Sequence, residues 1–500
     1  MNKSSSELEF ERSVIKSLED NGWHYRHDLS NKTEDALLTN WREMLFQRNR
    51  DRLKDQPLTD EEFEQIKSQI FAINSPLEAA RFLSSGQVMF SRQQNGQMSD
   101  IILECFWAHD VAGGKNSYEV VNQITRKKNR STGRDHRFDV TLLISGIPVI
   151  HLELKREGVS IQQAYWQIRD YMANGDFGGF YSLVQIFGIL NGDDSRYFAR
   201  PVDHKSFNPA FCFGWADEKT NQPINESSQF IKHALRVPMG HKLMSLYTIA
   251  DKPKGVLKVL RSYQIYAVEN ILDRLRKTRF NGAESDVLGG YVWHTTGSGK
   301  TMTSFKAAQL ASQLKNVDKV IFLADRNELV KQTVTEYSGF VDDEDEVTAT
   351  KNSNKLLSAL QNKDQRLIVT SIQKMDNVAK LGKQKKLENT QMVFIVDEAH
   401  RSTAGEMLIH IRETYPTAVW FGFTGTPIFD AQNKNTKTSD LFGDPLHIYS
   451  VADGILDENV LGFDVRPYYP IPPSKLRRAV AEWKDPEYGE IYQTWLNKKK

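Results

Sequence analysis

Asp139, Glu153 and Lys155 have the types and spacing for the first chemistry. Asp139 sits early in the run Phe138-Asp139-Val140-Thr141-Leu142-Leu143-Ile144, and a second run, Ile147 to Leu154, follows the turn signal Ser145-Gly146. The two runs read as strands of one hairpin. Residues two apart on a strand share a face, so Glu153 and Lys155 project together, with Ile150, Leu152 and Leu154 on the other side toward a core. Thirteen residues separate Asp139 from Glu153, enough for the second strand to return beside the first. Two carboxylates at one spot bind Mg²⁺ through oxygen. Such an ion lowers the pKa of a bound water and neutralises charge on a phosphate, and Lys155 would position or activate that water.

An Asp…Glu-x-Lys pattern alone is common, and its plain alternative is an exposed strand face. Three features strengthen it. The strand alternation holds on both sides. The following helical stretch, 160–172, carries Gln167 and Tyr171 four apart, on one helix face. Residues 126–137 hold Arg126, Lys127, Lys128, Arg130, Arg134 and Arg137 against one acid, Asp135, a local charge that suits a DNA backbone. Together these residues resemble the PD-(D/E)xK nucleases, and Gln167 and Tyr171 match the Gln-x-x-x-Tyr motif of their RecB-like branch. The resemblance implies a further acid from the first helix. Glu11 is the candidate, with Glu7 and Glu9 as rivals.

The second chemistry lies at His294-Thr295-Thr296-Gly297-Ser298-Gly299-Lys300-Thr301, after the short strand Tyr291–Trp293 and before a helical pattern. That is the setting of a phosphate loop. Gly297 and Gly299 let backbone N–H groups around Thr296 and Ser298 turn toward phosphate oxygens. Lys300 supplies a point charge to the β and γ phosphates of ATP, and the Thr301 hydroxyl is placed for Mg²⁺. The strict pattern asks for glycine where His294 stands. About a hundred residues on, Val393-Phe394-Ile395-Val396 runs into Asp397-Glu398. An apolar strand ending in two carboxylates is a Walker B arrangement, in which Asp397 holds Mg²⁺ through its shell and Glu398 orients or deprotonates the attacking water.

Two α/β units must position these groups. A helix over Leu8–Leu18 and exposed helices over 34–71 precede the hairpin, and the apolar run Tyr181–Leu190 follows it. Residues 217–257 are polar, with scattered Pro and Gly, and read as a domain boundary. From Lys258 the rhythm becomes strand–helix. Short apolar runs at Tyr291–His294, Val320–Ala324, Leu367–Thr370, Val393–Val396 and Val419–Phe423 alternate with stretches such as Met302–Leu314, as buried parallel strands with crossover helices do. The expected fold class is α/β: a domain resembling PD-(D/E)xK nucleases over 1–250, one resembling a first RecA-like motor lobe over 258–470, and what that resemblance makes the start of a connector or second lobe over 471–500. The block Asp342–Glu346 reads as a solvated loop.

Composition bounds the rest. The 500 residues are 39% hydrophobic and 26% charged, which excludes wholesale disorder. Lys plus Arg number 65 and Asp plus Glu 64, a net charge of +1, so any nucleic-acid surface is local. Cys105 and Cys212 exclude a disulfide framework and a Cys-rich zinc site. The N-terminus lacks a signal core, and no apolar run approaches the roughly 20 residues of a membrane helix. The expected location is the cytoplasm, with no membrane partner.

The order HTTGSGKT, DEAH, then Phe423-Thr424-Gly425-Thr426-Pro427 resembles the first motor lobe of superfamily 2 helicases and translocases. Ile321–Arg326 and Ile368–Gln373 match further motifs of that family. Arg261-Ser262-Tyr263-Gln264 resembles its adenine-recognising element, with Gln264 as the reader, and Thr424 and Thr426 its coupling motif. A PD-(D/E)xK nuclease ahead of such a motor resembles the restriction (R) subunit of type I restriction-modification enzymes. Gly289–Thr301, with its His294, Gly422–Ile428 and Tyr449–Ile455 look particularly close. The resemblance implies ATP and Mg²⁺ as cofactors, and double-stranded DNA and the modification (M) and specificity (S) subunits of a methyltransferase as partners. Translocation would be driven by ATP, cutting would fall far from the recognition site, and no site reading would reside in this chain. A motor also needs a second lobe of about 150 residues; about 34 follow Arg466, so a longer polypeptide is expected. The rival readings are an RNA-remodelling ATPase of the DEAD/DEAH type with an unrelated N-terminal half, and a non-catalytic ATP-dependent DNA clamp.

Overall fold

The computed structural model describes residues 5–94, 97–126, 135–280, 289–324, 347–349, 353–382, 387, 390–397, 405–429 and 437–457. The chain divides into two compact units, Met1–Asp453 and Gly454–Lys500, and nearly all the described residues lie in the first.

The first helix, Ser5–Asp20, turns Glu11, Val14, Ile15 and Leu18 inward. The stretch 34–71, expected as exposed helices, instead forms helices Glu34–Arg48 and Asp60–Phe71 that each bury one face. Leu37, Leu38, Trp41 and Leu45 lie inside on the first, and Phe63, Ile66 and Ile70 on the second. Thr59 starts the second with a capping box to Glu62, satisfying two donors that a helix start leaves open. Their many charges occupy the remaining faces, which is what hid the apolar stripe.

The strands before the linker are β1 (His24–Tyr25), β2 (Gln87–Gln94), β3 (Gln97–Glu104), β4 (Tyr118–Arg126), β5 (His136–Ile144), β6 (Ile147–Leu154), β7 (Ile186–Leu190) and β8 (Ser195–Ala199). β2 and β3 form a separate hairpin, and the rest make a six-stranded mixed sheet in the order β1-β4-β5-β6-β7-β8. β5 and β6 pair antiparallel across Ser145-Gly146, as the sequence predicts. β6 then pairs parallel with β7, and the helix Gln162–Ala173 makes the crossover between them. Every residue of β6 is buried, so its polar side chains are enclosed by protein on both faces of the sheet.

The polar stretch 217–257 packs into the core from Ser227 on, through Phe230, Leu235, Leu243 and Tyr247, while 217–226 hold no buried residue. It includes the ends of two short ribbons, β9 (Trp215–Ala216) with β10 (Pro223–Ile224) and β11 (Thr248–Asp251) with β12 (Val256–Val259). Beyond it, β13 (Gly290–His294), β14 (Lys319–Ala324), β15 (Val347–Ala349), β16 (Leu367–Ser371), β17 (Met392–Asp397), β18 (Val419–Thr424) and β19 (Pro445–Tyr449) form one sheet, ordered β15-β16-β14-β17-β18-β13-β19. Every pairing in it is parallel. All five apolar runs picked out in the sequence are strands of this sheet.

One apolar core is continuous between the two sheets. It contains Val140 and Ile150 from the first, Leu243 and Ile249 from the linker, and Ile271, Phe305, Val320 and Phe421 from the second. The opposite face of the parallel sheet has its own core around Ile321, Phe394 and Trp420. Directional bonds reinforce the junction. Tyr197 Oη donates to the Leu260 carbonyl at 2.8 Å, Trp215 Nε1 to Tyr266 Oη at 2.7 Å, and Asn221 Nδ2 to the Ile448 carbonyl at 3.1 Å. Among the described residues no helix is long and apolar enough to cross a membrane.

Candidate functional site

The hairpin brings its acids together. Val140 faces Leu152 and Thr141 faces His151 in the β5–β6 register, which sets Asp139 beside the end of β6. The Asp139 Oδ2 atom accepts the Leu154 N–H at 2.9 Å. Glu153 is fully buried, with Lys155 Nζ 3.4 Å from Oε1 and His151 Nε2 3.3 Å from Oε2. Lys155 Nζ also donates to Gln167 Oε1, and Gln167 Nε2 donates to Tyr171 Oη at 2.5 Å. The helix Gln162–Ala173 thus presents Gln167 to the lysine with Tyr171 bonded behind it, on one face as the four-residue spacing predicts. Burial, with the charges of Glu153 and Asp139, pushes the Tyr171 hydroxyl well above its usual range, so it stays protonated.

Glu11 is the inward acid of the first helix, while Glu7 is partly exposed and Glu9 exposed. Its carboxylate accepts Asn122 Nδ2 and Gln123 Nε2, each at 2.5 Å. Gln123 interrupts β4 with φ at +56°, a left-handed backbone. The register passes from Asn122–Val140 to Ile124–Phe138, so this kink lies opposite Asp139. Of the basic run, Arg126 points inward, ion-paired with Glu34 and donating to the Gly178 carbonyl at 2.9 Å, and does not join an open DNA surface. Arg137 is exposed, and 127–134 lie outside the described residues. Among the described residues no three His, Cys, Asp or Glu side chains form a metal-holding group. The pair Asp139 and Glu153 offers carboxylate oxygen, the donor type a hard divalent cation takes.

The phosphate loop joins β13 to the helix Lys300–Ser312. Gly297 and Gly299 have φ of +85° and +78°, values that favour glycine. Lys300 Nζ reaches back across the loop to the Thr295 carbonyl at 3.4 Å, and Ser298 Oγ donates to the same carbonyl at 2.6 Å. Thr296 is exposed on the loop and Thr301 half-buried at the helix start. Gln264 is buried. Its Nε2 donates to the carbonyls of Ser298 at 3.1 Å and Gly299 at 3.3 Å, while its Oε1 accepts the Arg261 N–H at 2.9 Å. The structure therefore places Gln264 as a brace of the loop. Tyr263 is a second brace that sequence reasoning passed over: its hydroxyl donates to the Ser298 carbonyl at 2.8 Å, and its ring stacks on Tyr449 at 3.7 Å.

His294, the departure from the strict pattern, is the last residue of β13 and points into the core. Its Nε2 lies 3.0 Å from His447 Nδ1, and burial, with His447 and Lys300 nearby, holds it neutral far below the usual imidazole range. Asp397 ends β17, and Thr424 ends β18 between β17 and β13. The phosphate loop, Asp397 and Thr424–Thr426 thus share the carboxyl edge of adjoining parallel strands, where open α/β sheets bind ligands. Trp293 Nε1 donates to the Gly425 carbonyl at 3.2 Å, and the Thr426 N–H to Thr424 Oγ1 at 3.1 Å. Glu398 lies outside the described residues, as do Asp325 and Arg326 of the motif strand at 321.

These two sites coincide with two protein families. Residues 4–206 match the type I restriction enzyme R protein N terminus, and 263–471 match the SWI2/SNF2 ATPase family. The chain is thus an R-protein N-terminal region joined to a SWI2/SNF2 ATPase region. It is 36% identical over 466 residues to the type I restriction enzyme SauCOLORF180P endonuclease subunit of Staphylococcus aureus, covering 92% of this chain and 47% of that protein. It is 34% identical over 464 residues to the SsaAORF53P endonuclease subunit of Staphylococcus saprophyticus, with the same coverage. A nuclease-deletion mutant of the type ISP restriction-modification enzyme LlaGI overlaps 47% of this chain and 24% of its own, at 20% identity and a TM-score of 0.32. The chain belongs to the family of type I restriction enzyme endonuclease subunits, and it spans about half the length of the curated relatives it matches.

Proposed function

We propose that this chain forms the nuclease and first motor lobe of an ATP-dependent DNA translocase-endonuclease, a type I restriction subunit that cuts unmodified DNA away from its recognition site. The observation that carries the proposal is the presence in one chain of two built sites. One is Asp139, Glu153, Lys155, Gln167 and Tyr171 on a PD-(D/E)xK-like hairpin and helix. The other is the braced phosphate loop beside Asp397 on a RecA-like sheet.

In the nuclease, Asp139 and Glu153 are the residues that would hold Mg²⁺, with Glu11, in contact with Gln123, as the third acid. When bound, that ion neutralises phosphate charge and makes its water acidic. Lys155, fixed between Glu153 and Gln167, would position or activate the attacking water. Tyr171 anchors Gln167, and burial keeps the set rigid. In the motor, the loop N–H groups and Lys300 cradle the ATP phosphates, while Thr301 and Asp397 would hold the accompanying Mg²⁺. Glu398 orients the water that attacks the γ-phosphate. Gln264, the expected adenine reader, braces the loop through its bonds to Ser298 and Gly299. Thr424–Thr426, joined to β13 through Trp293, pass the loop's state to the DNA side. The DNA is double-stranded, and the M and S subunits supply docking and site choice in the cytoplasm.

The test is cleavage of one-site circular DNA by the full-length protein with its M and S subunits, ATP and Mg²⁺. Cutting that depends on ATP hydrolysis and on an unmodified site is expected. Cutting without hydrolysis, or ATP turnover stimulated by RNA and not by duplex DNA, would overturn the proposal.

A further inference from the structure

The face that carries Glu153 and Lys155 continues one step deeper, to His151. His151 is fully buried and ringed by Phe138, Phe177 and Phe187, with ring centroids 4.7, 5.5 and 6.2 Å away. Packing alone does not account for an imidazole there. A fourth phenylalanine would fill an aromatic box without the cost of burying two ring nitrogens. Among the described residues Nδ1 makes no hydrogen bond of ordinary geometry, and the Val140 backbone is the other polar group at the ring. Nε2 lies 3.3 Å from Glu153 Oε2. Because a carboxylate oxygen only accepts, the contact with Glu153 assigns the proton to Nε2.

We infer that His151 is a positioning residue of the nuclease site, its Nε2–H fixing the Glu153 carboxylate in the orientation a divalent cation requires. The inference rests on the nuclease reading above and adds to it a residue from outside the Asp, Glu-x-Lys and Gln-x-x-x-Tyr pattern. Glu153 is held from both sides, Oε2 by His151 and Oε1 by Lys155 at 3.4 Å. His151 lies on its own strand and Lys155 one residue past the strand's end, so the carboxylate cannot swing without breaking one of them. Outer partners of this kind are worth about 10–100-fold in metal affinity where they have been removed.

Titration calorimetry of Mn²⁺ into the purified chain, without nucleotide, tests this. Nucleotide is left out so that the phosphate loop contributes no metal. His151→Phe keeps the aromatic box and removes the donor, and His151→Gln restores a donor of similar reach. His151→Asn, whose amide is too short, replaces the Phe variant if that chain does not fold. Expected is a loss of about 10–100-fold in Mn²⁺ affinity for Phe or Asn, and affinity close to wild type for Gln. Wild-type affinity in the Phe or Asn variant, or equal loss in Phe and Gln, overturns the role of His151. Asp139→Ala is the separate control. If it binds Mn²⁺ as tightly as wild type, the nuclease reading fails and this inference with it.

Discussion

Alanine at Gly299 should cost far more than alanine at Gly297, although both glycines sit at positive φ in one loop. At Gly297, with φ +85°, an added Cβ meets nothing within 4 Å among the described residues, so the penalty is that of a left-handed alanine, about 1–2 kcal/mol. At Gly299, with φ +78°, the new Cβ lies 2.7 Å from Gln264 Nε2. The amide must retreat and give up its bonds to the Ser298 and Gly299 carbonyls, at about 1 kcal/mol each. Gly299→Ala should therefore lose about 3–4 kcal/mol in all. In a Gln264→Ala background the clash is gone, and the same substitution should fall back to about 1–2 kcal/mol. Strain the loop cannot shed appears in the urea midpoint, and strain it sheds by moving appears in the affinity for a fluorescent ATP analogue. The sum of the two is the quantity compared. Equal losses at 297 and 299, or a Gly299→Ala cost untouched by removing Gln264, would refute the brace.

Asp139→Ala and Lys155→Ala should each abolish DNA cutting by the full-length protein in its complex while leaving DNA-stimulated ATP turnover, measured by phosphate release, near wild type. A parallel loss of both activities would mean the sites are not separate. Lys300→Ala removes the charge at the phosphate loop and should lower ATP turnover by about a hundredfold or more, stopping cutting on one-site circles with it. Persistent cutting would break the link between motor and nuclease. Acid should destabilise the fold in a defined window. Burial lowers His151, His241 and His447 to about 4, so the folded state resists protons that the unfolded chain takes up below its ordinary value near 6.5. Their stability is therefore intact above that value and falls between it and pH 4, by about 1 kcal/mol per pH unit for each. Urea midpoints across pH 4–7 read it, and His241→Phe, in contact with Phe106, should flatten the acid limb; an unchanged slope counts against the assignment.

Much of this was legible because the signals were periodic. The alternation around Glu153 and Lys155 gave a strand face, and Ser145-Gly146 gave the turn. The five apolar runs after Lys258 appeared as parallel strands because such strands are buried on both sides. Helices 34–48 and 60–71 were misjudged because charge dominates their composition, and only the spacing of Leu37, Trp41 and Leu45 betrays a buried stripe. Gln123 was illegible for a different reason. Its left-handed backbone goes with a side-chain bond to Glu11, more than a hundred residues earlier, and no local pattern encodes that contact. His151 was within reach, two positions before Glu153 on the same face, but a lone histidine in an apolar strand usually means core packing. The role of Gln264 as a loop brace follows from the fold of Arg261–Gln264 against Ser298, which no spacing rule specifies.

The continuous core beneath both sheets has a consequence for anyone who dissects this molecule. A boundary chosen from polarity, between 217 and 257, runs through residues that are themselves part of the joint. A clone starting after it would forfeit the Tyr197 bond to Leu260, the Trp215 bond to Tyr266 and the Asn221 bond to Ile448, and would bare the apolar side of the phosphate-loop helix. The halves behave less like beads on a string than like two floors sharing a ceiling. Swapping one of them for a cousin's requires carrying over both surfaces of the junction, and natural variation on one side is free only so far as the other side can follow.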